Sequence, residues 1–332
     1  MRDPRALPKV ELHIHLEGSM RVPTILELAE RQGIEPPTAI GTDGVWRFED
    51  SVHFIDQYGM ACRVLNDLDD FRRIGFEFCE DLASQGVSYA EAVFSPAQHG
   101  ERTGDWHGPI EAVLDGFAAG ERDLGVVARL EPDVIRDLGL DSAERTLEVA
   151  IKYAGAGVVA LNCAGSERQP IAPYADIFRR AKAAGLRSTP HAGEWAGPGN
   201  VWETLAHLDP DRIGHGVRSI DDPALVARLA ELAIPLEVCP SSNVATGVYP
   251  SLGDHPFLAL RDAGVVVTLN SDDPAMFGSW LADEYGAVRD AWALSDDDLA
   301  AIARTGVIAS FAPASLKDEI GRGIDAWLAA EP

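Results

Sequence analysis

Apolar residues fall into short runs separated by longer amphipathic stretches. Eight runs predict strands at 10–15, 87–94, 125–130, 158–161, 186–190, 212–214, 234–238 and 265–269. Several are continuous rather than alternating, as in Gly264-Val265-Val266-Val267, which suits parallel strands covered on both faces. The punctuation between them is helical. Pro23 and Gly33 bracket a helix over 24–32, Asp222-Pro223 open one over 224–233, and Ser295 caps one over 296–303 with Asp298 at its third position. Eight strands alternating with helices predict an α/β fold, a (β/α)8 TIM barrel, although alternation alone also suits an open doubly wound sheet. The stretch 35–65 is long for a barrel connection and carries Trp46, Phe48, Phe54, Tyr58 and Met60. It is expected to form a helical lid inserted after the first strand; the competing expectation is a barrel helix that packs these aromatics as core. No linker or repeat divides the chain, so one barrel domain over 1–332 is expected.

Composition narrows the setting. Of 332 residues, 46 % are hydrophobic and 24 % charged, enough to bury a core without disulfide staples. Fifty-three acidic residues against 28 basic ones give a net charge of −25, which repels nucleic-acid phosphates and anionic lipid surfaces. No signal peptide is expected from Met1-Arg2-Asp3-Pro4-Arg5 and the few apolar residues before Lys9 and Glu11. No apolar run approaches the roughly 18 residues that span a bilayer. The four cysteines, Cys62, Cys79, Cys163 and Cys239, are scattered without a C-x-x-C pair and read as reduced thiols. A cytoplasmic protein is expected, and the pattern specifies no oligomeric interface.

The chemistry collects where strands end. His13 and His15 sit two apart in the first strand and therefore point the same way. An isolated H-x-H is weak, and one polar strand end is ordinarily a satisfied residue. Here, however, Pro190-His191-Ala192-Gly193-Glu194 ends the fifth strand, Arg212-Ile213-Gly214-His215-Gly216 the sixth, and Asn270-Ser271-Asp272-Asp273-Pro274 the eighth. Four strand ends converge on the face where barrel enzymes build their sites. Catalytic zinc takes nitrogen and oxygen ligands and keeps one position for water, so His13, His15, His191 and Asp272 are the predicted ligands of one ion per chain. A two-metal site bridged by a carboxylated lysine is disfavoured. None of Lys9, Lys152, Lys182 and Lys317 follows the fourth strand, where Asn162-Cys163-Ala164-Gly165 stand. Glu194 is placed to donate and shuttle a proton, or else to hold His191. His215 is placed to orient the attacking water, or else to be a further ligand. Asp273 is expected to face the substrate as a hydrogen-bond acceptor.

These segments, with Pro8-Lys9-Val10-Glu11-Leu12-His13-Ile14-His15-Leu16-Glu17-Gly18, Tyr89-Ala90-Glu91, Ala164-Gly165, Glu237-Val238-Cys239-Pro240-Ser241-Ser242-Asn243 and Ser310-Phe311-Ala312-Pro313, resemble the adenosine deaminase family over nearly the whole chain. The resemblance implies a barrel with one zinc on His13, His15, His191 and Asp272, and hydrolytic deamination of a 6-aminopurine to the 6-oxopurine and ammonia. It further implies that activated water attacks C6 while Glu194 protonates N1, that His215 assists the water, that Asp273 bonds near N7, and that the Gly165 N–H meets N3. The zinc deaminases with P-C-x-x-C ligation are a different class, since Cys239-Pro240-Ser241-Ser242 lacks that pattern. A purine-binding barrel without catalysis is the non-enzyme alternative.

Departures bear on the substrate. Glu17 stands where adenosine deaminases carry the Asp that approaches the ribose 5′-hydroxyl, and so resembles adenine deaminases. Gly214, before the sixth-strand His, resembles the nucleoside enzymes instead. Asn162 and Val93 replace a family Asp and Arg. Gly197-Pro198 followed by Trp202 resembles the branch that includes 6-amino-6-deoxyfutalosine deaminases. The expected substrate is a small-molecule 6-aminopurine nucleoside, adenosine or a 5′-modified relative, with aminodeoxyfutalosine and adenine as alternatives. A 5′-phosphate beside Glu17 would be repelled, and a carboxylated substituent would need an arginine nearby.

Overall fold

The computed structural model describes residues 1–330. Eight parallel strands form its centre: β1 Lys9–His15, β2 Val87–Phe94, β3 Val127–Ile135, β4 Ala160–Ala164, β5 in two pieces, Arg187–Ser188 and His191–Ala192, β6 Ile213–His215, β7 Leu236–Val238 and β8 Val267–Leu269. Neighbours pair in sequence order, with Glu91 opposite Arg129, Asp133 opposite Asn162, Leu161 opposite Ser188, His191 opposite Gly214 and Glu237 opposite Thr268. Pro190 interrupts β5 because it has no N–H, yet its carbonyl accepts from Gly214 N at 3.0 Å and the strand runs on. The ring closes where β1 meets the residues after β8. His15 N donates to Asp272 O at 2.8 Å and Asp272 N to His13 O at 3.0 Å. The fold is the expected barrel.

Helices and their ends follow the predicted punctuation. Gly33, at φ 65°, terminates Val22–Gln32 in a left-handed turn. The Asp222 carboxylate accepts from Ala224 N and Leu225 N to start Pro223–Leu232, and Ser295 and Asp298 form a capping box that starts Asp296–Ala309. That last helix is six residues longer than its apolar pattern suggested.

Two strands differ from expectation in a way that matters. β3 extends five residues beyond the predicted end at 130, and β4 reaches 164 rather than 161. Glu131-Pro132-Asp133 lies beyond that predicted end, but in the barrel Glu131 and Asp133 both point inward and are buried. Their burial is supported from inside. Arg212, 1 % exposed, extends across the barrel to Glu91, Glu131 and Glu237 and stacks on Phe311, with its carbon 3.8 Å from the ring centre. Thr189 Oγ1 adds a hydrogen bond to Glu131 at 2.7 Å.

The inserted stretch covers the C-terminal mouth. Residues 35–50 are largely irregular, with a bridge between Ile40 and Trp46, and Ser51–Cys62 is helical. Trp46 and Phe54 are buried; Phe48 stacks on Trp46, and Phe54 packs 4.9 Å from Phe277 on the short helix Pro274–Phe277 that follows Asp272-Asp273. The insertion is a lid by position, and its aromatics form a satellite of the core as well. No helix among the described residues is long and apolar enough to cross a membrane.

Candidate active site

Four of the predicted residues converge. One ligand-type atom from each of His13, His15, His191 and Asp272 lies within 4.8 Å of the others, and the strand ends are what bring them there. His15 Nε2 is 3.3 Å from both His191 Nε2 and Asp272 Oδ1, and His13 Nε2 is 3.6 Å from Asp272 Oδ1. The opposite ring nitrogens are engaged. His13 Nδ1 donates to Glu237 Oε2 at 2.8 Å, and His191 Nδ1 donates to Asn162 Oδ1 at 2.8 Å. These bonds fix the tautomers, so the Nε2 lone pairs face one another. His13 Nε2 is buried with no hydrogen-bond partner among the described residues.

The electrostatics favour a cation at this point. Burial opposes a charged His15, but Asp273 and Asp272 push its pKa up to about 10. Burial would raise Asp272, yet His215, His15 and His13 hold it well below the usual carboxylate range, so it is ionised. Burial and the neighbouring imidazoles press His191 well below its ordinary value, keeping it a neutral donor of its lone pair. Three imidazole nitrogens and a carboxylate form the donor set of a catalytic zinc. Asp272 and His215 also adopt left-handed backbone angles, φ 65° and 58°, which non-glycine residues take up at a cost of roughly 1–3 kcal/mol. The Asp272 strain is held by its backbone bonds to β1, and Ser242 Oγ donates to Asp272 Oδ2 at 2.5 Å.

Beside this cluster stand His215 and Glu194. His215 Nε2 lies 3.7 Å from Glu194 Oε2 and 3.9 Å from Asp272 Oδ2; burial lowers its pKa to about 3, so the ring is neutral. Burial, Asp272 and Glu167 raise Glu194 well above the usual range, leaving it protonated near neutral pH. Asn243 Nδ2 touches both, at 3.3 Å from His215 Nδ1 and 3.5 Å from Glu194 Oε1. Glu167, which the sequence pattern did not single out, accepts from the backbone N–H groups of Glu194, Trp195 and Ala196 at 3.1, 2.9 and 2.5 Å. It clamps the turn that carries Glu194. A carboxylate two residues past Gly165 is a loop residue like any other until its partners are seen.

The remaining predicted residues line the mouth. Asp273 is buried against Gly18, where a Cβ would fall 1.7 Å from Asp273 Oδ1; that oxygen has no partner among the described residues. Burial and Asp272 raise its carboxyl well above the ordinary range. Gly165 lies exposed at the end of β4. Glu17, expected to reach into sugar space, is 1 % exposed and already engaged. Its Oε1 accepts from Ser95 N at 3.0 Å and His99 Nε2 at 3.1 Å, and its Oε2 accepts from Tyr58 OH at 3.3 Å on the insertion. The acceptor left free nearby is Asp133, 1 % exposed, whose Oδ1 has no partner among the described residues. Burial and Glu17 push Asp133 up to about 7. The prediction missed Asp133 because it ended β3 too early.

Comparison with known proteins agrees with the geometry. A family model described as adenosine deaminase matches residues 8–327. An aminodeoxyfutalosine deaminase of Streptomyces avermitilis is 40 % identical over 98 % of this chain and 92 % of its own length. The crystal structure of an adenine deaminase from Arthrobacter aurescens superposes with a TM-score of 0.90 at 32 % identity, covering 97 % of this chain and 99 % of that one. An amidohydrolase from Burkholderia ambifaria with bound Zn superposes at 0.87 and 28 % identity, covering 98 % and 94 %.

Proposed function

Because the chain belongs to the adenosine deaminase family, we propose that it removes the 6-amino group of a purine nucleoside, adenosine or a 5′-modified relative, with zinc held by His13, His15, His191 and Asp272. That it is a zinc-dependent enzyme of hydrolytic aminopurine deamination follows from the family and its zinc-bearing neighbour. The observation that carries the assignment of residues is the convergence of the four ligand atoms beside a protonated Glu194 and a neutral His215.

The roles follow from the protonation states. Bound zinc lowers the pKa of water toward ~7 and so supplies a nucleophile at neutral pH. Glu194 gives its proton to N1, which draws electrons from C6 and opens that carbon to attack. The neutral His215, whose Nδ1 accepts from Asn243 Nδ2, carries its hydrogen on Nε2 and donates it to the oxygen of the attacking water, which aims it. Glu194 then takes one proton from the added water and gives it to the amino group, which leaves as ammonia, and it recovers its own proton from the remaining C6 hydroxyl as the 6-oxo group forms. N7 offers only a lone pair, so the protonated Asp273 donates to it rather than accepting. Gly165 presents its N–H toward N3. The whole chain acts as one barrel domain, with residues 35–65 shielding the reaction from bulk water. Its acidity keeps it off nucleic acids, and we place it in the cytoplasm.

For the substrate, Gly214 supports a nucleoside. A Cβ there would come within 2.7 Å of His13 Cε1, so the Asp typical of adenine deaminases at this position has no room. The likeness to the Streptomyces enzyme supports a 5′-modified nucleoside such as 6-amino-6-deoxyfutalosine. Free adenine is the second reading, favoured by Glu17 and by the likeness to the Arthrobacter enzyme. The test is a panel of adenosine, 6-amino-6-deoxyfutalosine and adenine with zinc-replete protein, followed by loss of 6-amino absorbance. Nucleosides are expected to exceed adenine in kcat/KM. Preference for adenine would overturn the nucleoside reading, and no turnover of any of the three would overturn the function itself.

A further inference from the structure

Asp133 is a buried acid at the barrel mouth to which the reaction gives no role. It sits on β3 two residues above Glu131, on the same inward face, so it occupies the layer of side chains next nearest the opening. Its surroundings are Ser95, Glu17 and His15. Glu17 is spent on Ser95, His99 and Tyr58, whereas Asp133 Oδ1 is buried without a partner among the described residues. A buried acceptor left unsatisfied opposes folding, which points to a ligand that completes it.

The order of atoms around a purine says what reaches it. This step rests on the proposed orientation, with N1 at Glu194 beyond β5 and N3 at Gly165 beyond β4. Going round the ring in that direction, the atoms run N1, C2, N3, C4, N9. Going round the barrel, the strand ends run β5, β4, β3. The substituent on N9 therefore falls above β3, beneath the insertion and between Asp133 and Tyr58. We propose that Asp133 is a substrate-binding residue whose free carboxyl oxygen accepts a hydroxyl hydrogen bond from the N9 substituent. This subsite takes a neutral, hydroxylated group such as a ribose. With Glu17 alongside, it turns away a phosphate placed directly against it.

The test compares ligands with and without the sugar. Inosine and 9-methylhypoxanthine are titrated calorimetrically into the zinc-loaded wild type, D133A and D133N. Inosine affinity is expected to fall about 10- to 100-fold in D133A, the loss typical of a hydrogen bond to a charged group, with a smaller fall in D133N. Affinity for 9-methylhypoxanthine stays unchanged in both. D133N preserves the shape of the side chain and decides the matter if D133A does not fold. Equal weakening of the two ligands would mean that Asp133 only supports its neighbours, and an unchanged inosine affinity would mean that it meets no sugar; either result overturns the inference. A wild type that binds neither ligand would overturn the proposed function, and this inference with it.

Discussion

Gly18 has no side chain because Asp273 fills the space where one would be, with Oδ1 1.7 Å from the position of a Cβ. Gly18→Ala must therefore displace the Asp273 carboxyl, which belongs to a buried site where a shift of about 1 Å costs on the order of 10²-fold in rate. Steady-state kinetics are expected to show that loss in kcat, with zinc content by atomic absorption unchanged. An unaltered kcat would remove Asp273 from the reaction. At this scale the residues legible in the sequence were those whose place at a strand end and whose own type singled them out: His13, His15, His191, Asp272, Glu194 and His215. Glu237, Asn162, Glu167 and Asp133 were not legible in those roles. The first three work through partners remote in sequence, and nothing local distinguishes a carboxylate that grips a histidine or a turn from one on the surface; Asp133 was hidden by the early end given to β3.

Elements show the same division. Strand number and order could be read because parallel strands covered on both faces are continuously apolar, while strand ends could not, because a barrel interior buries carboxylates that look like turns. Thus β3 carries Glu131 and Asp133 inside the barrel, where Arg212 compensates for Glu131 and Asp133 lies beside Ser95 with one oxygen unpartnered. The aromatics of the insertion announced a packed element without saying against what; Phe277 and Tyr58's bond to Glu17 supply the answer. The clamp between the loops after β4 and β5 has a measurable consequence. Glu167's negative charge helps hold Glu194 protonated, and the proposed reaction needs that proton. Activity should accordingly be lost as pH rises through the Glu194 pKa. Glu167→Gln removes the charge, lowers that pKa, and should move the basic limb of the kcat/KM profile to lower pH. A basic limb that stays in place would show that Glu167 acts on the backbone alone.

Across the whole molecule, the −25 charge divides into a solvated surface and a small buried set with specific partners. Arg212 is the pivot of that set, joining β2, β3 and β7 through Glu91, Glu131 and Glu237, and through Glu237 it reaches His13. Arg212→Met leaves three buried carboxyls without their cation and is expected to cost about 3–5 kcal/mol in urea unfolding of the metal-free protein. Loss of less than about 1 kcal/mol, the scale of an exposed pair, would mean that water compensates for the missing cation inside the barrel. The ring itself closes through Asp272's backbone bonds to His13 and His15, and neighbouring Leu12 N reaches Asn270 Oδ1 across 258 residues of chain. The contact that seals the barrel is thus also the one that completes the metal cluster. A polypeptide still emerging from the ribosome carries the two histidines of β1 long before the aspartate that joins them, which lies 257 residues after His15. Metal capture is therefore a late event in the life of the chain, and a prematurely terminated product is left with an open seam and an incomplete cluster.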